Sequence, residues 1–289
     1  FVDREAEGRP EAYLTENHLW GPRDYYKSDF FRNSLCNFAS EIGYHGCPSR
    51  KSIEEFIPAD RLWPWQNNDD WMAHASSMEL GESGNFNYRI KLMADQVREL
   101  FGAVPDNLDD FALASQISQA EAKKFFIEMF RTGQPNRTGI IWWNLIDGWP
   151  QFSDAVVDYY FRRKLAFYYI KRVQQPLILS MREPANWNLE LVSVNDAGAE
   201  AELNYTVTEL TTGEVVHSAR ATVPKGVKAL LHIPYSQGEK KLYLMEWEQN
   251  GQKGRNHYLA GNPPFSLEQY RSFLKRICEY EEGCTWREI

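Results

Sequence analysis

The pattern of apolar residues changes at Gln174-Gln175-Pro176, and this change is the feature that most constrains the fold. Before it, short apolar runs with the character of buried strands alternate with aromatic-rich loops and with helical periodicity. After it, residues 177–260 form short alternating runs separated by turn sequences such as Asn-Asp-Ala-Gly and Gln-Asn-Gly-Gln. We therefore predict an α/β part followed by a small antiparallel β-sandwich.

The first part has the order of elements found in a (β/α)8 TIM barrel, whose strands carry the chemistry at their C-terminal ends. An irregular, Trp-rich segment at 58–88 interrupts this order, and loops of that length are usually functional or covering elements. The patterns predict strands at 13–20, 36–42 and 139–146. They predict helices at 89–101, 115–131 and 159–173. The predicted regions of the 289-residue chain are 1–175 (barrel), 176–262 (sandwich) and 263–289 (helical tail).

The charge balance argues against a nucleic-acid partner. The chain has 40 acidic and 32 basic residues, a formal charge of -8, and no sustained basic stripe. No apolar run approaches the roughly 20 residues that span a bilayer, so no membrane partner is predicted. The four cysteines lack zinc-site spacing. Cys278 and Cys284 are near enough in sequence to form a small disulfide loop, but their redox state is left open.

Aromatic residues make up 14% of the chain, including ten Trp, and many stand beside Asn, Asp, Gln or Gly. Such a mixture suits flat, hydroxyl-rich ligands, because aromatic faces stack on C–H groups while amides and carboxylates bind hydroxyls. A Trp-rich core is the alternative interpretation.

The stretch NFASEIGYHGCPS, residues 37–49, places a single carboxylate, Glu41, at the end of a predicted barrel strand. There a carboxylate can face a pocket instead of the packed barrel interior. Retaining glycoside hydrolysis needs such a group, with one carboxylate as nucleophile and a second as acid/base about 5–5.5 Å away. A Glu that pairs with an Arg or caps a turn is the alternative.

Two stretches in this order resemble glycoside hydrolase family 2, especially its β-mannosidase-like branch. NFASEIGYHGCPS is similar to the family's nucleophile strand, and GIIWWNLIDGWPQFSDAVVDYYFRRKLAFYYIKR is similar to its last barrel strand and helix. The closing segment NHYLAGNPPFSLEQYRSFL fits the same order. The resemblance implies the C-terminal part of a TIM barrel followed by an immunoglobulin-like β-sandwich.

The resemblance implies roles for individual residues. Glu41 corresponds to the nucleophile, and His18 and Trp20 match a His-x-Trp step that contacts the sugar. His18 taken alone is more often a packed histidine.

The second stretch supplies the other implied sugar-binding residues. Trp143 forms an aromatic wall of the -1 subsite, and Asn144, Asp147 and Trp149 shape its rim. Because strand side chains alternate, only one of Trp142 and Trp143 should face the pocket, and Trp143 is favoured. A core position for Trp143 and a loop-capping role for Asp147 are the alternatives.

One family feature is missing from the chain. The family's acid/base is a Glu preceded by Asn, and no Asn-Glu dipeptide occurs here; Glu16 follows Thr and is a poor substitute. The resemblance therefore implies a C-terminal fragment of a retaining exo-β-glycosidase that hydrolyses terminal β-linked sugars, with β-mannosides favoured. Its partners are a carbohydrate substrate and the missing N-terminal portion of the same polypeptide, it needs no cofactor or metal, and alone it is nearly inactive.

Two other functions fit the sequence less well. A non-catalytic carbohydrate-binding or interaction protein on a degenerate barrel agrees with the aromatic content, although the intact Ser-Glu-Ile-Gly context of Glu41 argues against degeneration. A hydrolase with a Ser or Cys nucleophile lacks a G-x-S-x-G elbow. The candidate nucleophile and base that remain for such a hydrolase are Cys47 and His45.

Overall fold

The computed structural model describes residues 16–21, 25–75, 88–279 and 281–284. The chain divides into two compact units. The first consists of Phe1–Phe126, Gly139–Ile170 and Tyr280–Ile289, and the second of Ile127–Thr138 and Lys171–Glu279.

The elements alternate between strands and helices up to residue 173 and are mainly strands after it. In chain order they are β1 (Glu16–His18), α1 (Asp29–Arg32), β2 (Phe38–Gly43), α2 (Arg50–Ile53), α3 (Asp69–Ala73), α4 (Tyr88–Phe101), α5 (Leu108–Thr132), β3 (Gly139–Trp143), α6 (Leu165–Val173), β4 (Leu177–Met181), β5 (Asn188–Asn195), β6 (Ala201–Glu209), β7 (Glu214–Val223), β8 (Gly226–Pro234), β9 (Lys241–Gln249), β10 (Gln252–Ala260) and α7 (Leu267–Ile277). A 3-10 turn covers Ala59–Arg61.

The sheet of the first unit is parallel, in the order β1-β2-β3, so the C-terminal ends of its strands lie at one edge. The backbone of β3 approaches β2 closely at Gly139, where a Cβ atom would lie 2.8 Å from the Phe38 ring. The register pairs His18 with Glu41 and Gly43 with Trp143. This register brings the predicted site residues of three strands to the same end of the sheet.

Helix α5 is unusual because nearly all of its residues are buried, including many polar ones. Its N-terminus is capped by Asn107, whose Oδ1 accepts the backbone N–H of Asp110 at 2.9 Å. Asp109 and Asp110 also place negative charge in the first turn, where the helix dipole favours it. The buried polar side chains of α5 must find partners, and several are described below as ties to the site.

The second unit contains two antiparallel sheets, in the orders β10-β9-β6-β7 and β4-β5-β8. Residues from both sheets form one hydrophobic cluster. Strand β6 illustrates the pattern, since Ala201, Leu203, Tyr205 and Val207 are buried while the residues between them are not. This alternation of buried and exposed positions agrees with the turn-separated apolar runs of the sequence.

The mixed α/β fold is confirmed, and most predicted elements lie within a few residues of their expected bounds. The helix predicted over 115–131 begins earlier, at Leu108. The helix predicted over 159–173 is shorter and begins only at Leu165. The reason is a turn at Asp158, whose Oδ1 accepts the backbone N–H groups of Tyr160 and Arg162 at 2.9 and 3.0 Å. Phe161, at a φ of 63°, is incompatible with a continuous helix.

Several expectations stay predictions. They are the barrel and immunoglobulin-like assignments and the region boundaries at 175/176 and 262/263. Part of the Trp-rich segment, residues 76–87, lies outside the described residues. Within the described ranges, no helix is long and apolar enough to cross a membrane. The small disulfide loop does not form, since Cys278 and Cys284 are thiols.

Candidate active site

Glu41 lies near the C-terminal end of β2, and its carboxylate is reached by an indole from the neighbouring strand end. The Nε1–H of Trp20 donates to Glu41 Oε1 at 2.6 Å. The Glu41 side chain keeps 28% of its surface exposed. The carboxylate is therefore held by a fixed donor and is still open to solvent, as a nucleophile that attacks a bound ligand requires.

His18 is the second neighbour of this carboxylate. Its Nδ1 lies 3.8 Å from Glu41 Oε1, too far for a hydrogen bond but close enough for an ion pair when the imidazole is protonated. The backbone N–H of Leu19 donates to the Glu41 carbonyl at 2.8 Å. The end of β1 is thus tied to β2 at the residue that carries the candidate nucleophile. The structure thus brings His18, Trp20 and Glu41 together, and their contacts with a sugar stay predictions.

Gly43 makes the Trp20 contact sterically possible. A Cβ atom at position 43 would lie 2.4 Å from Trp20 Cη2 and 2.9 Å from Asp154 Oδ1. The indole ring therefore occupies the space that a side chain at this position would need. The glycine two residues after Glu41 thus leaves room for the Trp20 ring whose N–H donates to the carboxylate.

Trp143 lies at the C-terminal end of β3 and is 48% exposed, whereas Trp142 is half-buried. Trp143 pairs with Gly43, and the Trp20 ring that bonds to Glu41 also covers Gly43, so Trp143 and Glu41 lie on the same face. The choice of Trp143 over Trp142 thus agrees with the observed alternation. Contact between Trp143 and a sugar stays a prediction.

Two buried oxygen atoms follow β3. Asn144 Oδ1 and Asp147 Oδ2 have no hydrogen-bond partner among the described residues. The Asn144 backbone carbonyl is engaged, since it accepts the Val156 N–H at 3.2 Å. Buried polar atoms without partners carry a desolvation cost, and a ligand hydroxyl can remove that cost by donating a hydrogen bond.

The other oxygen of Asp147 stabilises the loop that follows β3. Asp147 Oδ1 accepts hydrogen bonds from Gln151 Nε2 at 2.7 Å and Ser153 Oγ at 2.5 Å. Burial raises the pKa of Asp147, against the opposing effects of nearby Lys164 and of these two hydrogen bonds. The loop-holding alternative for Asp147 therefore has direct structural support, and its second oxygen is available for another role.

Trp149 is 40% exposed and stacks on His74, with ring centroids 5.8 Å apart and an interplanar angle of 26°. The imidazole is itself fixed, because His74 Nδ1 is hydrogen-bonded to the Pro150 carbonyl at 2.7 Å. His74, in the Trp-rich segment 58–88, therefore packs against the predicted rim residue Trp149.

His45 and Arg50 follow Glu41 closely in sequence, and each lies beside carboxylates other than that of Glu41. His45 is buried, with Nδ1 3.3 Å from Asp154 Oδ1. Arg50 is exposed and pairs with Glu54 and Asp109. Burial raises the pKa of Cys47 to about 12, so its thiol is not ionised near neutral pH and is a poor nucleophile. This argues against the hydrolase with a Cys nucleophile.

Sequence reasoning missed Lys123, a fully buried lysine of α5 that contacts the end of β3. Its Nζ donates to the backbone carbonyl of Trp143 and lies 5.6 Å from the centroid of the Trp142 ring. A Lys-Lys pair inside a helix normally indicates an exposed position, so the sequence contained no signal for this contact. No group of three His, Cys, Asp or Glu with metal-binding geometry occurs in the part of the chain that the structure describes.

Comparisons with known proteins give a consistent set of relatives. No family model matches the chain. It is 30% identical to β-mannosidase A of Aspergillus terreus in an alignment 197 positions long, which covers 58% of this chain and 20% of that protein. It is also 27% identical to β-mannosidase A of Aspergillus oryzae in an alignment 268 positions long, which covers 80% of this chain and 28% of that protein. The chain thus spans between a fifth and a third of the length of these relatives.

Solved structures share its fold. A β-D-mannosidase of Dictyoglomus thermophilum matches 87% of the chain with a TM-score of 0.72 at 20% identity, and the match covers 30% of that protein. An exo-chitosanase of Amycolatopsis orientalis matches 85% of the chain with a TM-score of 0.63 at 21% identity, again over 30% of its length.

Proposed function

Because this chain belongs to the β-mannosidase-like branch of glycoside hydrolase family 2, we propose that it is the C-terminal part of a retaining exo-β-glycosidase. Glu41 is its nucleophile. The observation that carries the proposal is the solvent-accessible Glu41 carboxylate at a strand end, held at 2.6 Å by the Trp20 indole. A carboxylate that served only as an ion-pair partner or turn cap would not need an aromatic donor beside an exposed Trp143.

The proposed mechanism has two displacement steps. Glu41 attacks the anomeric carbon while an acid/base carboxyl protonates the leaving oxygen, giving a covalent glycosyl-enzyme and the released alcohol. Water, deprotonated by the same acid/base, then attacks the anomeric carbon and frees Glu41, with net retention of configuration. The Trp20 N–H holds one Glu41 oxygen throughout, which leaves the other oxygen for attack.

Side chains at the ends of β1 and β3 form the proposed sugar site. His18 lies beside Glu41, and Trp143 provides an aromatic face on the same side of the sheet. Asn144 Oδ1 and Asp147 Oδ2 offer buried acceptors for sugar hydroxyls, and Trp149 extends the aromatic rim. A stacking face beside paired acceptors is the arrangement that a pyranose ring requires. No cofactor is needed for this chemistry.

The acid/base is proposed to lie in an N-terminal portion of the same polypeptide. The chain lacks an Asn-Glu dipeptide and spans only 20–28% of its curated relatives. Among the described residues, strand β3 also lies at an edge of its sheet, and Ile141 within it and Leu145 just after it are 56% and 55% exposed. An apolar, unpaired edge of this kind suits further strands of a (β/α)8 barrel. The second unit is proposed to be an immunoglobulin-like β-sandwich.

The substrate is proposed to be a terminal β-linked sugar, with β-mannosides favoured. The test is turnover by the full-length polypeptide on aryl β-mannoside, β-glucoside, β-galactoside, β-glucuronide and β-glucosaminide. Glu41→Gln should lower kcat at least a thousandfold, because it removes covalent catalysis while preserving shape. Glu16→Gln is the matched control, since Glu16 is an exposed carboxylate on the neighbouring strand β1, and it should leave kcat within about twofold.

A non-catalytic carbohydrate-binding protein is the second candidate, and the exposed Trp143 and Trp149 favour it equally. The two candidates differ in one result. Sugar binding without turnover of any substrate by the full-length wild type would favour the binding protein and reject the enzyme.

A further inference from the structure

Lys123 is a buried lysine of α5 that contacts the C-terminal end of β3. It has 0% relative exposure, and its Nζ donates a hydrogen bond to the carbonyl oxygen of Trp143. The same Nζ lies 5.6 Å from the centroid of the Trp142 ring, within the range of a cation–π contact. One ammonium group therefore contacts both tryptophans at the end of this strand.

We propose that Lys123 is a positioning residue, which fixes the backbone at the end of β3 and thereby sets the orientation of Trp143 beside Glu41. The inference rests on the proposed function in one respect, because it takes Trp143 to be the wall of the sugar site. Lys123 does not touch the sugar itself. It acts through the Trp143 carbonyl and lies beside the Trp142 ring.

The hydrogen bond from Lys123 matters because, among the described residues, strand pairing holds β3 from one side only. β3 lies at an edge of its sheet, so β2 is its one strand neighbour among the described residues. The register between β2 and β3 also shifts between Ala39 and Ile42. Trp143 forms the last pair between β3 and β2, and the hydrogen bond from Lys123 to its carbonyl adds to this pairing at the end of β3.

Two charged groups act on Lys123 from the segment that follows β3. Asp154 favours the ammonium form and Lys164 disfavours it, while burial has the largest effect and lowers the Lys123 pKa to about 7. Lys164 is itself buried, and its Nζ donates to the Gly46 carbonyl at 2.6 Å. The charge on Lys123 therefore changes close to neutral pH.

Loss of that proton weakens the tie to Trp143. An ammonium donates a charge-assisted hydrogen bond that is roughly twice as strong as a neutral one. A neutral amine also loses the cation–π attraction to Trp142 and the attraction to Asp154. Trp143 should thus be held most firmly below about pH 7 and less firmly above it.

The first test does not depend on catalysis. The full-length polypeptide is labelled with fluorotryptophan, and the fluorine NMR resonance of Trp143 is assigned by its loss in Trp143→Phe. We expect this resonance to shift with a midpoint close to pH 7. The shift should vanish in Lys123→Met. In Lys164→Met the midpoint should move to higher pH, because a like charge has been removed.

Lys164→Met is the matched control for burial, since it removes another buried lysine whose bond is to Gly46 and not to Trp143. If Lys123→Met does not fold, the wild type and Lys164→Met still decide the result. A Trp143 resonance that does not change with pH in the wild type, or that titrates in the same way in Lys164→Met, would overturn the proposal. Persistence of the shift in folded Lys123→Met would overturn it as well.

The second test uses catalysis. Lys123→Met should lower kcat/KM about ten- to hundredfold, because small misplacements of a substrate-contacting group have effects of that size. Lys123→Arg, which stays charged, should retain more activity and extend it to higher pH. Unchanged kcat/KM and pH profile in Lys123→Met would count against a positioning role. Absence of turnover in the wild type would reject the glycosidase proposal alone, since the NMR titration still reports on Lys123 and Trp143.

Discussion

Trp20 and Glu41 are joined by a hydrogen bond of 2.6 Å between side chains at the ends of adjacent parallel strands. The bond depends on a third position, because the Trp20 ring occupies the space above Gly43. An indole has a donor and no acceptor, so this contact fixes the orientation of the carboxylate without offering a competing base.

Replacing Trp20 with Phe tests the importance of that donor. A hydrogen bond to a charged group contributes about 1.5–3 kcal/mol, so Trp20→Phe should lower kcat/KM about ten- to hundredfold in the full-length polypeptide. Its thermal unfolding should change little, because Trp20 is half-buried and Phe retains most of the apolar contact. Steady-state kinetics on the best aryl glycoside make the measurement. Activity within twofold of wild type would exclude an orienting role for Trp20.

Gly43→Ala should have a similar effect by steric means. The new methyl group would lie 2.4 Å from Trp20 Cη2, so the indole must move away from Glu41. Gly148→Ala is the matched control, because a Cβ atom there has no neighbour within 4 Å among the described residues. We expect at least a tenfold loss of kcat/KM for Gly43→Ala and a near-normal value for Gly148→Ala. Equal effects of the two variants would contradict this explanation.

Two substitutions at Asp147 separate its two oxygen atoms. Asp147→Asn can keep Oδ1 as the acceptor for Gln151 and Ser153, so the variant should stay folded. It should nevertheless lose activity, because an NH2 group replaces the proposed sugar-facing Oδ2. Asp147→Ala should also lose about 1–3 kcal/mol of unfolding free energy with both hydrogen bonds. Full activity in Asp147→Asn would leave Asp147 with the loop-holding role alone.

The same carboxyl predicts a dependence of stability on pH. Burial raises the Asp147 pKa above its ordinary value of 3.8, so the folded state binds its proton more tightly than the unfolded state does. The contribution of Asp147 to stability is therefore lost as the pH rises from about 4 through the raised pKa. Urea unfolding across this range should show Asp147→Asn gaining stability relative to wild type. A constant difference would contradict the assigned shift.

The lowered pKa of Lys123 predicts that the stability of the fold rises with pH, opposite to the effect of Asp147 and in a higher pH range. Its pKa is lowered from 10.5 to about 7 in the folded state, so between these values the unfolded state binds the proton and the folded state does not. Stability contributed by this group rises with pH across that window by up to about 1.4 kcal/mol per pH unit. Urea unfolding of wild type and Lys123→Met should show the rise in the wild type only.

Parts of the site could be predicted from the sequence because they depend on local rules. Parallel strands carry functional side chains at their C-terminal ends, which placed Glu41 at a strand end, whereas His18 was identified by its resemblance to a His-x-Trp step. Strand alternation implied that only one of Trp142 and Trp143 faces the pocket, and the position relative to Asn144 and Asp147 favoured Trp143. The antiparallel strands after residue 176 agree with the apolar alternation and turn sequences, which are strong signals wherever one face of a sheet is buried.

Other parts depend on contacts between residues distant in sequence and could not be predicted. Lys123 has the sequence context of an exposed helix residue, and its burial follows from the packing of α5 against the strand ends. The late start of α6 follows from Asp158, whose side chain forms a turn within a segment of helical periodicity. In both cases a polar side chain bonds to main-chain groups, and periodicity carries no information about such bonds.

The polar side chains of α5 make contacts of this kind repeatedly. Gln119 donates to the carbonyls of Tyr44, Asp154 and Ala155, and Lys123 to that of Trp143. Every peptide unit has a carbonyl, whatever its side chain. Descendants of this protein can therefore exchange side chains at these positions during evolution without losing the tie to the helix. A helix that bonds to main-chain carbonyls leaves the side chains of the candidate site open to mutation, so on the proposed function new sugar preferences can arise on an unchanged scaffold.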